Sequence, residues 1–190
     1  FSKTKPDFVF HLAAQALVKN SYKNPLDTIE TNAVGTLNIL ESLRAINKKK
    51  DCVAVIITSD KVYQNLEINR GYSENDILGG KDPYSSSKAS AELIIKSYIE
   101  SFFQKPFSTV RICVARAGNV IGGGDWSDDR LIPDCVKSWS KYKKVILRNP
   151  HSTRPWQHVL DVLNGYLMFA EKLSSSKYLN GQIFNFGPNK

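Results

Sequence analysis

Four short apolar runs, rich in β-branched and aromatic residues, alternate along the chain with longer stretches of helical spacing. The runs are Phe8–Leu12, Val53–Thr58, Thr109–Ala115 and Ile183–Phe186. Their residues are largely apolar at consecutive positions, which indicates strands that are buried on both faces. Strands of this kind separated by helices predict a parallel sheet that is covered on both sides. The predicted fold class is therefore α/β, with a doubly wound parallel sheet.

Helical spacing of apolar side chains predicts two long helices between these strands, over Asn24–Asn47 and Pro83–Phe103. After the third run, the segment RAGNVIGGGDWSDDRLIP is so rich in Gly, Asp and Asn that no regular element continues through it. Further elements are predicted beyond that segment. They are a helix at Ile132–Tyr142, a strand at Lys144–Arg148 and a helix at Val159–Leu173 that returns to the sheet layer.

The change in composition predicts a domain boundary near residue 118. We expect residues 1–117, to which residues 157–188 return, to form the sheet domain, and residues 118–156 to form part of a smaller unit. The chain begins at Phe1 without a methionine and stops at FNFGPNK, directly after a strand-like run. Both ends look cut, so we expect a central fragment of a longer protein.

Charge and composition narrow the function classes. The 190 residues carry a net charge of +8, and several lysines are clustered. These clusters are either solvated helix ends or a surface that attracts anionic ligands, such as a phosphorylated small molecule or nucleic acid. Because no RNA- or DNA-reading motif accompanies them, no nucleic-acid partner is expected. The sequence has no run long enough to span a membrane and no signal-peptide pattern, so no membrane association is expected.

The cysteines and histidines do not form a recognisable metal site. Cys52, Cys113 and Cys135 are an odd number of thiols without metal-ligand spacing. We interpret them as free, buried packing residues of a protein in the reducing cytoplasm. The three histidines are equally scattered, so no metal is predicted.

A tyrosine and a lysine, Tyr84 and Lys88, lie four residues apart in the segment DPYSSSKASAE. If Asp82 caps a helix and Pro83 opens it, both side chains project from the same helical face. A cation one turn away favours the phenolate and lowers the tyrosine pKa towards neutrality, which suits a general base. The alternative is a surface tyrosine beside a solvated lysine.

The segment IITSDKVY places a hydroxyl group, Ser59, where a buried strand ends. In parallel α/β sheets, ligands bind beyond the carboxyl ends of the strands. The Ser59 hydroxyl can there hydrogen-bond the substrate oxygen that Tyr84 deprotonates. Ser59, Tyr84 and Lys88 together therefore predict hydride transfer from a carbinol to a nicotinamide.

These residues and the runs around them resemble the extended short-chain dehydrogenase/reductase family, in its CDP-glucose 4,6-dehydratase branch. The resemblance implies a Rossmann-like fold truncated at its N-terminus, a CDP-hexose substrate, a tightly held NAD and a homo-oligomer. It also implies a role in making deoxyhexoses for bacterial surface polysaccharide. The matching runs are VFHLAAQ, SYKNPLDTIETNAVGTLNILE, ITSDKVY, DPYSSSKASAEL, ARAGNVIGGGDWSDDRLIPD and RNPHSTRPWQHVLD, which cover nearly the whole chain.

The resemblance also assigns residues to cofactor and substrate. Residues 1–117 become part of an NAD-binding domain, and residues 118–156 part of a sugar-nucleotide-binding domain. Asn119, Arg130 and Arg154 are expected to bind the sugar nucleotide, since guanidinium groups bind phosphate through two hydrogen bonds. For Arg154 a structural salt bridge is the alternative. The residues expected to contact NAD, or to hold the backbone around it, are Ala13, Ala14, Gln15, Asn32, Thr58, Tyr84 and Lys88.

The reaction implied for this branch has three steps: oxidation at C4, loss of water across C5 and C6, and return of the hydride to C6. Elimination needs a proton donor for the 6-hydroxyl and a base for C5, and Asp60 and Lys61 are placed for these roles. The dTDP-glucose and GDP-mannose dehydratases carry a glutamate where Lys61 stands. Lys61 is therefore either a neutral base or a group that stabilises the enolate.

Three other functions remain open: a dehydratase for UDP or dTDP sugars, a C4 epimerase, and a non-catalytic binding module. The glycine-rich pyrophosphate loop that opens such folds is not in the sequence. Gly122, Gly123 and Gly124 lack its spacing, and we expect them to shape a substrate loop instead. The segment by itself is not expected to bind NAD well.

Overall fold

A parallel sheet forms the centre of the molecule. The computed structural model describes residues 1, 3–147 and 149–188. Its hydrogen-bonded strand order is β1-β2-β3-β6, with every pair parallel. The α/β prediction is confirmed, and all four apolar runs form strands with bounds shifted by at most two residues. The strands are β1 (Phe8–His11), β2 (Cys52–Ser59), β3 (Val110–Ala117), β4 (Val120–Ile121), β5 (Gln157–His158) and β6 (Ile183–Phe186).

The helices follow the predicted order with two differences. Short π-helical segments, Glu30–Val34 and Ile99–Phe103, lie within the two long helical stretches, and the helix over Val18–Lys23 was not predicted. A π-helical turn adds a residue to the turn and so shifts the apolar stripe around the helix axis. The helices are α1 (Val18–Lys23), α2 (Pro25–Ile29), α3 (Gly35–Ile46), α4 (Pro83–Tyr98), α5 (Leu131–Trp139) and α6 (Val159–Ser175).

Two hydrophobic layers cover the two faces of the sheet, as predicted. On one face, Leu40 and Leu43 of α3 and Ile95 of α4 pack against Ile112 of β3. On the other face, α6 returns to the sheet as predicted. Residues of α6 that pack there are Val162, Tyr166, Phe169, Ala170 and Leu173. Each fully buried side chain of this size contributes roughly 1.5–3 kcal/mol to the stability of the fold. The two layers therefore fix the sheet and the positions of the carboxyl ends of its strands.

The predicted strand at Lys144–Arg148 is wrong for residues 144–147, which have no regular structure. Ile146 is 88% exposed, and no strand in the described ranges pairs with this segment. A short apolar run forms a strand only where a neighbouring strand satisfies its backbone and a core buries its side chains. Arg148 itself lies outside the described residues.

The glycine-rich segment after β3 packs closely against the chain around β5. Strand β4 pairs in parallel with β5, apart from the central sheet. A Cβ atom on Gly118 would stand 2.6 Å from Pro155 Cγ, and one on Gly122 would stand 2.6 Å from Val159 Cγ1. Gly124 has a φ of +89°, which favours glycine. The division of the chain into two domains stays a prediction.

The described cysteines are free and buried, as expected of packing residues. Among the described helices, none is both long and apolar enough to cross a membrane. Nor do histidine, cysteine and carboxylate side chains gather into a potential metal site within residues 1, 3–147 and 149–188.

Candidate active site

The end of β2 holds Ser59, Asp60 and Lys61 in one hydrogen-bonded turn. The Ser59 hydroxyl donates to Asp60 Oδ1 at 3.1 Å and accepts from the Lys61 backbone amide at 3.2 Å. Ser59 is thereby the N-cap of the short 3₁₀ turn Asp60–Val62. Ser59 is buried and its two neighbours are partly exposed. The turn therefore presents a carboxylate and an ammonium directly beside a buried hydroxyl.

Helix α4 begins as predicted, at a capping box around Asp82. One carboxylate oxygen of Asp82 accepts from the backbone amides of Tyr84 and Ser85, both at 3.0 Å. The Ser85 hydroxyl in turn accepts from the Asp82 amide, and Pro83 is the first helical residue. Such caps contribute about 1 kcal/mol to the stability of a helix. They fix where the helix starts and so place Tyr84 and Lys88 on one buried face.

The protonation of Tyr84 and Lys88 differs from the expectation. Burial raises the pKa of Tyr84, although a hydrogen bond with Ser59 and the positive charge of Arg130 act in the opposite direction. Burial lowers the pKa of Lys88 to about 8, against the attraction of Glu92. The predicted lowering of the Tyr84 pKa is therefore wrong for the chain by itself, because desolvation disfavours both charged forms.

No hydrogen bond or ion pair to the Lys88 ammonium occurs among the residues that the structure describes. Buried cations are normally paired, because leaving water without a compensating partner is unfavourable. A lysine side chain that is 7% exposed, lies one helical turn from Tyr84 and has a pKa lowered by burial is typical of a functional site rather than of a structural one.

Asn32 ties the loop after β1 to two helices. Its side-chain amide accepts from the Gln15 backbone amide at 2.8 Å and donates to the Gln15 carbonyl at 3.0 Å. It also donates to the hydroxyl of Ser87 in α4 at 2.8 Å. Ala13 and Ala14 lie in the same loop and are at least partly exposed. The loop is thus held beside the neighbour of Lys88, while cofactor contacts by these residues stay a prediction.

Sequence analysis missed Glu92 and Arg116, which form a buried ion pair behind the site. The Thr58 hydroxyl donates to Glu92 Oε1 at 2.5 Å, so this group faces α4. The sequence offered no clear signal, because β3 carries two arginines, Arg111 and Arg116, and Arg116 lies beyond the predicted strand; only the structure shows that Arg116 is buried and therefore requires a partner. His11 was also missed. Its Nε2 lies 3.1 Å from Thr36 Oγ1, and burial, followed by the charge of Lys88, lowers its pKa.

A cleft of about 1870 Å³ lies beside the turn after β2. Asp60, Lys61, Arg130 and Arg154 line it, whereas Ser59, Tyr84 and Lys88 are buried and do not; Ser59 and Tyr84 directly precede the lining residues Asp60 and Ser85 in the chain. Lysine and arginine outnumber aspartate and glutamate in the lining. The cleft therefore suits an anionic ligand.

The three predicted substrate residues differ in their surroundings. Asn119 Oδ1 is buried without a hydrogen-bond partner in the described part of the chain, whereas Arg130 Nε makes no hydrogen bond there but lies 3.8 Å from Asp125 Oδ2 in a partly exposed ion pair. Buried polar atoms are rarely left unpaired, so Asn119 Oδ1 points to a ligand or water, whereas Asp125 already faces Arg130. Arg154 is exposed and donates to the Thr153 carbonyl at 2.7 Å. It forms no ion pair within the described ranges, so the salt-bridge alternative has no support.

Residues 1–186 match the family model described as GDP-mannose 4,6 dehydratase. The chain belongs to this family. Among its relatives, the CDP-glucose 4,6-dehydratase of Salmonella typhimurium is 48% identical over 187 residues, which are 97% of this chain and 52% of the relative. The chain thus spans about half the length of this relative.

Solved structures share the fold of this family member. Pal from Bacillus thuringiensis has a TM-score of 0.83 at 23% identity, over 100% of this chain and 57% of that protein. A double mutant of dTDP-glucose 4,6-dehydratase from Streptomyces venezuelae, with NAD and DAU bound, has a TM-score of 0.80 at 22% identity. The match covers 97% of this chain and 52% of the Streptomyces protein. The fold is therefore the Rossmann-like fold that the sequence predicted.

Proposed function

We propose that the full-length protein is an NAD-dependent 4,6-dehydratase that converts CDP-glucose to CDP-4-keto-6-deoxyglucose. The observation that carries this proposal is the turn after β2, where the Ser59 hydroxyl hydrogen-bonds both the Asp60 carboxylate and the Lys61 backbone amide. Ser59 and Asp60 also influence the pKa of Tyr84. Groups for oxidation and groups for elimination are thus neighbours. Identity of 48% with a CDP-glucose 4,6-dehydratase supports the same reading.

In this proposal, Ser59 and Tyr84 act on the C4 hydroxyl: Tyr84 removes its proton and Ser59 hydrogen-bonds the oxygen. Asp60 donates a proton to the departing 6-hydroxyl. Lys61 either removes the C5 proton or stabilises the enolate. Its side chain is partly exposed at the cleft, which leaves both roles sterically open.

NAD fits the residues around Tyr84. We propose that Lys88 donates hydrogen bonds to the nicotinamide ribose and that the loop tied down by Asn32 lines the cofactor. Bound NAD would supply the acceptor for the C4 hydride and the donor for its return to C6. The described chain contributes only part of such a site, since it spans about half of its relative.

We propose that Asn119, Arg130 and Arg154 hold the sugar nucleotide. The unpaired buried oxygen of Asn119 and the cationic lining of the cleft, to which Arg130 and Arg154 belong, support this assignment. The choice of cytidine rests on the relative alone. We also propose that the protein lies in the reducing cytoplasm, since its described thiols are unpaired. A homo-oligomer is proposed from the family resemblance, and light scattering of the purified protein tests it.

The full-length protein incubated with CDP-glucose should form a 4-keto sugar, detected by its absorbance in alkali. UDP-glucose and dTDP-glucose in parallel reactions test the nucleotide. Asp60→Asn should lower ketone formation by about 10²–10⁴-fold, the usual contribution of a positioned acid. Clean conversion to the C4 epimer, unaffected by Asp60→Asn, would refute the dehydratase. Salt-sensitive RNA binding without a bound dinucleotide would favour a binding module instead.

A further inference from the structure

An ion pair with almost no solvent exposure joins α4 to β3 beneath the site. The side chains of Arg116 and Glu92 are 2% and 1% exposed. Arg116 Nε donates to Glu92 Oε1 at 2.8 Å and to Oε2 at 3.0 Å, and Nη2 also contacts Oε2. Burying two charges gains little stability over an apolar pair. A pair in this position therefore calls for an explanation other than stability.

Both partners of this pair also bind the segment that carries Ser59, Asp60 and Lys61. Glu92 Oε1 accepts from Thr58, the residue before Ser59, at 2.5 Å. Arg116 Nη1 donates to the Tyr63 hydroxyl at 2.8 Å, and its guanidinium carbon lies 4.7 Å from the centre of the Tyr63 ring. The turn is thus anchored on both sides, through Thr58 directly before Ser59 and through Tyr63 two residues after Lys61.

We propose that Glu92, held by Arg116, is a positioning residue that fixes the Ser59–Lys61 turn against the Tyr84–Lys88 face of α4. Glu92 lies one helical turn beyond Lys88, so one carboxylate connects the end of β2 to the helix that carries the base. Fork-shaped pairing by arginine restricts the orientation of the carboxylate. This inference rests on the proposed function of the turn and of Tyr84.

Charge supplies a second link between Glu92 and the site. Burial lowers the pKa of Lys88, and the negative charge of Glu92 raises it. Among the other titratable groups around Lys88 are Tyr84, on the same buried face of α4, and His11 of β1, whose pKa is lowered by burial and then by the Lys88 charge. Arg116 neutralises part of the Glu92 charge. Removing the carboxylate should therefore move the Lys88 titration to lower pH.

The test uses three variants of the full-length protein: Thr58→Val, Glu92→Gln, and the double variant Glu92→Gln with Arg116→Met. Thr58→Val keeps the ion pair and removes its link to β2, so it is expected to fold. The double variant leaves no unpaired buried charge. Glu41→Gln is the matched control, because Glu41 also accepts from an arginine and a hydroxyl, Arg44 and Tyr98, but on the exposed side.

Thr58→Val and the double variant should lower kcat for ketone formation by about 10–100-fold, the effect of a small misplacement of reacting groups, with KM little changed. Glu41→Gln should keep the kcat of the parent protein. NMR of ¹³Cε-labelled lysine should show a lower pKa for Lys88 in Glu92→Gln than in the parent protein. The Lys88 signal is assigned by its loss in Lys88→Arg.

Unchanged kcat in Thr58→Val and the double variant, or an unchanged Lys88 titration in Glu92→Gln, would overturn the inference and leave the pair a purely structural element. The NMR measurement needs no turnover. If the parent protein forms no ketone from any nucleotide-glucose, the proposed function fails, while the titration still tests the link between Glu92 and Lys88.

Discussion

Lys88 is the residue whose placement is hardest to explain by stability alone. It is 7% exposed, and its pKa is lowered from 10.5 to about 8 by burial. A shift of this size corresponds to a penalty of roughly 3 kcal/mol for the charged form at neutral pH. Functional groups often carry such penalties, which are offset elsewhere in the fold.

Replacement of Lys88 by methionine should therefore stabilise the protein at pH 7 and abolish ketone formation. The folded protein binds fewer protons than the unfolded chain between pH 8 and 10.5, so the stability of the parent protein rises with pH across this window. The gain from Lys88→Met should be about 3 kcal/mol below pH 8 and should disappear towards pH 10.5.

Urea unfolding at pH 7 and pH 10 measures this effect. Lys96→Met, at an exposed position of the same helix, is the control and should show no such pH dependence. Equal free energies of unfolding for Lys88→Met and the parent protein at pH 7 would show that the charged form of Lys88 carries no such energetic penalty.

At the scale of elements, the start of α4 decides where the Tyr84–Lys88 face lies. The Asp82 carboxylate accepts hydrogen bonds from two backbone amides of the first turn, and Pro83 restricts the backbone at the same place. Strand β2 ends in a second cap, Ser59. Each cap is a local device, and together they orient the two halves of the proposed site.

Asp82→Ala should lower the free energy of unfolding by about 1 kcal/mol, because two amides lose their acceptor. It should also reduce kcat, since Tyr84 lies in the first turn. Asp82→Ser retains a good N-cap residue and should recover most of both losses. Urea unfolding and ketone formation measure the two effects; equal behaviour of the alanine and serine variants would argue against capping as the cause.

At the scale of the whole molecule, the fold collects charges from distant parts of the chain around one cleft. Lys61 follows β2, Arg130 precedes α5, and Arg154 precedes β5, and all three line the cleft. Arg154 has no ion pair in the described ranges, so its charge is available to an anionic ligand.

Arg154→Ala should raise KM for CDP-glucose by about 10–100-fold, the value of one or two charge-assisted hydrogen bonds to phosphate. The free energy of unfolding should stay unchanged, because the side chain is exposed. Arg44→Ala, at the exposed Glu41 pair, is the control and should leave KM unaltered. Steady-state kinetics at several CDP-glucose concentrations measure KM, and an unaltered KM in Arg154→Ala would remove this residue from the site.

Local patterns in the sequence determined the α/β class, the order of the strands and long helices, and the start of α4 at Asp82 and Pro83. Runs of consecutive apolar residues and capping groups act over a few residues, so they can be read along the chain. The same reading failed at residues 144–147, because strand formation there depends on a neighbour that the fold does not provide.

Only the tertiary structure decided how the site is supported and charged. Glu92 and Arg116 are 24 residues apart, and Asn32 and Ser87 are 55 apart, so neither contact follows from spacing. The raised pKa of Tyr84 and the lowered pKa of Lys88 arise from burial by elements distant in sequence. The sequence by itself determined which reactive groups the chain carries. Their solvation and partners were decided by folding, because desolvation and hydrogen bonding depend on atoms that meet only in three dimensions.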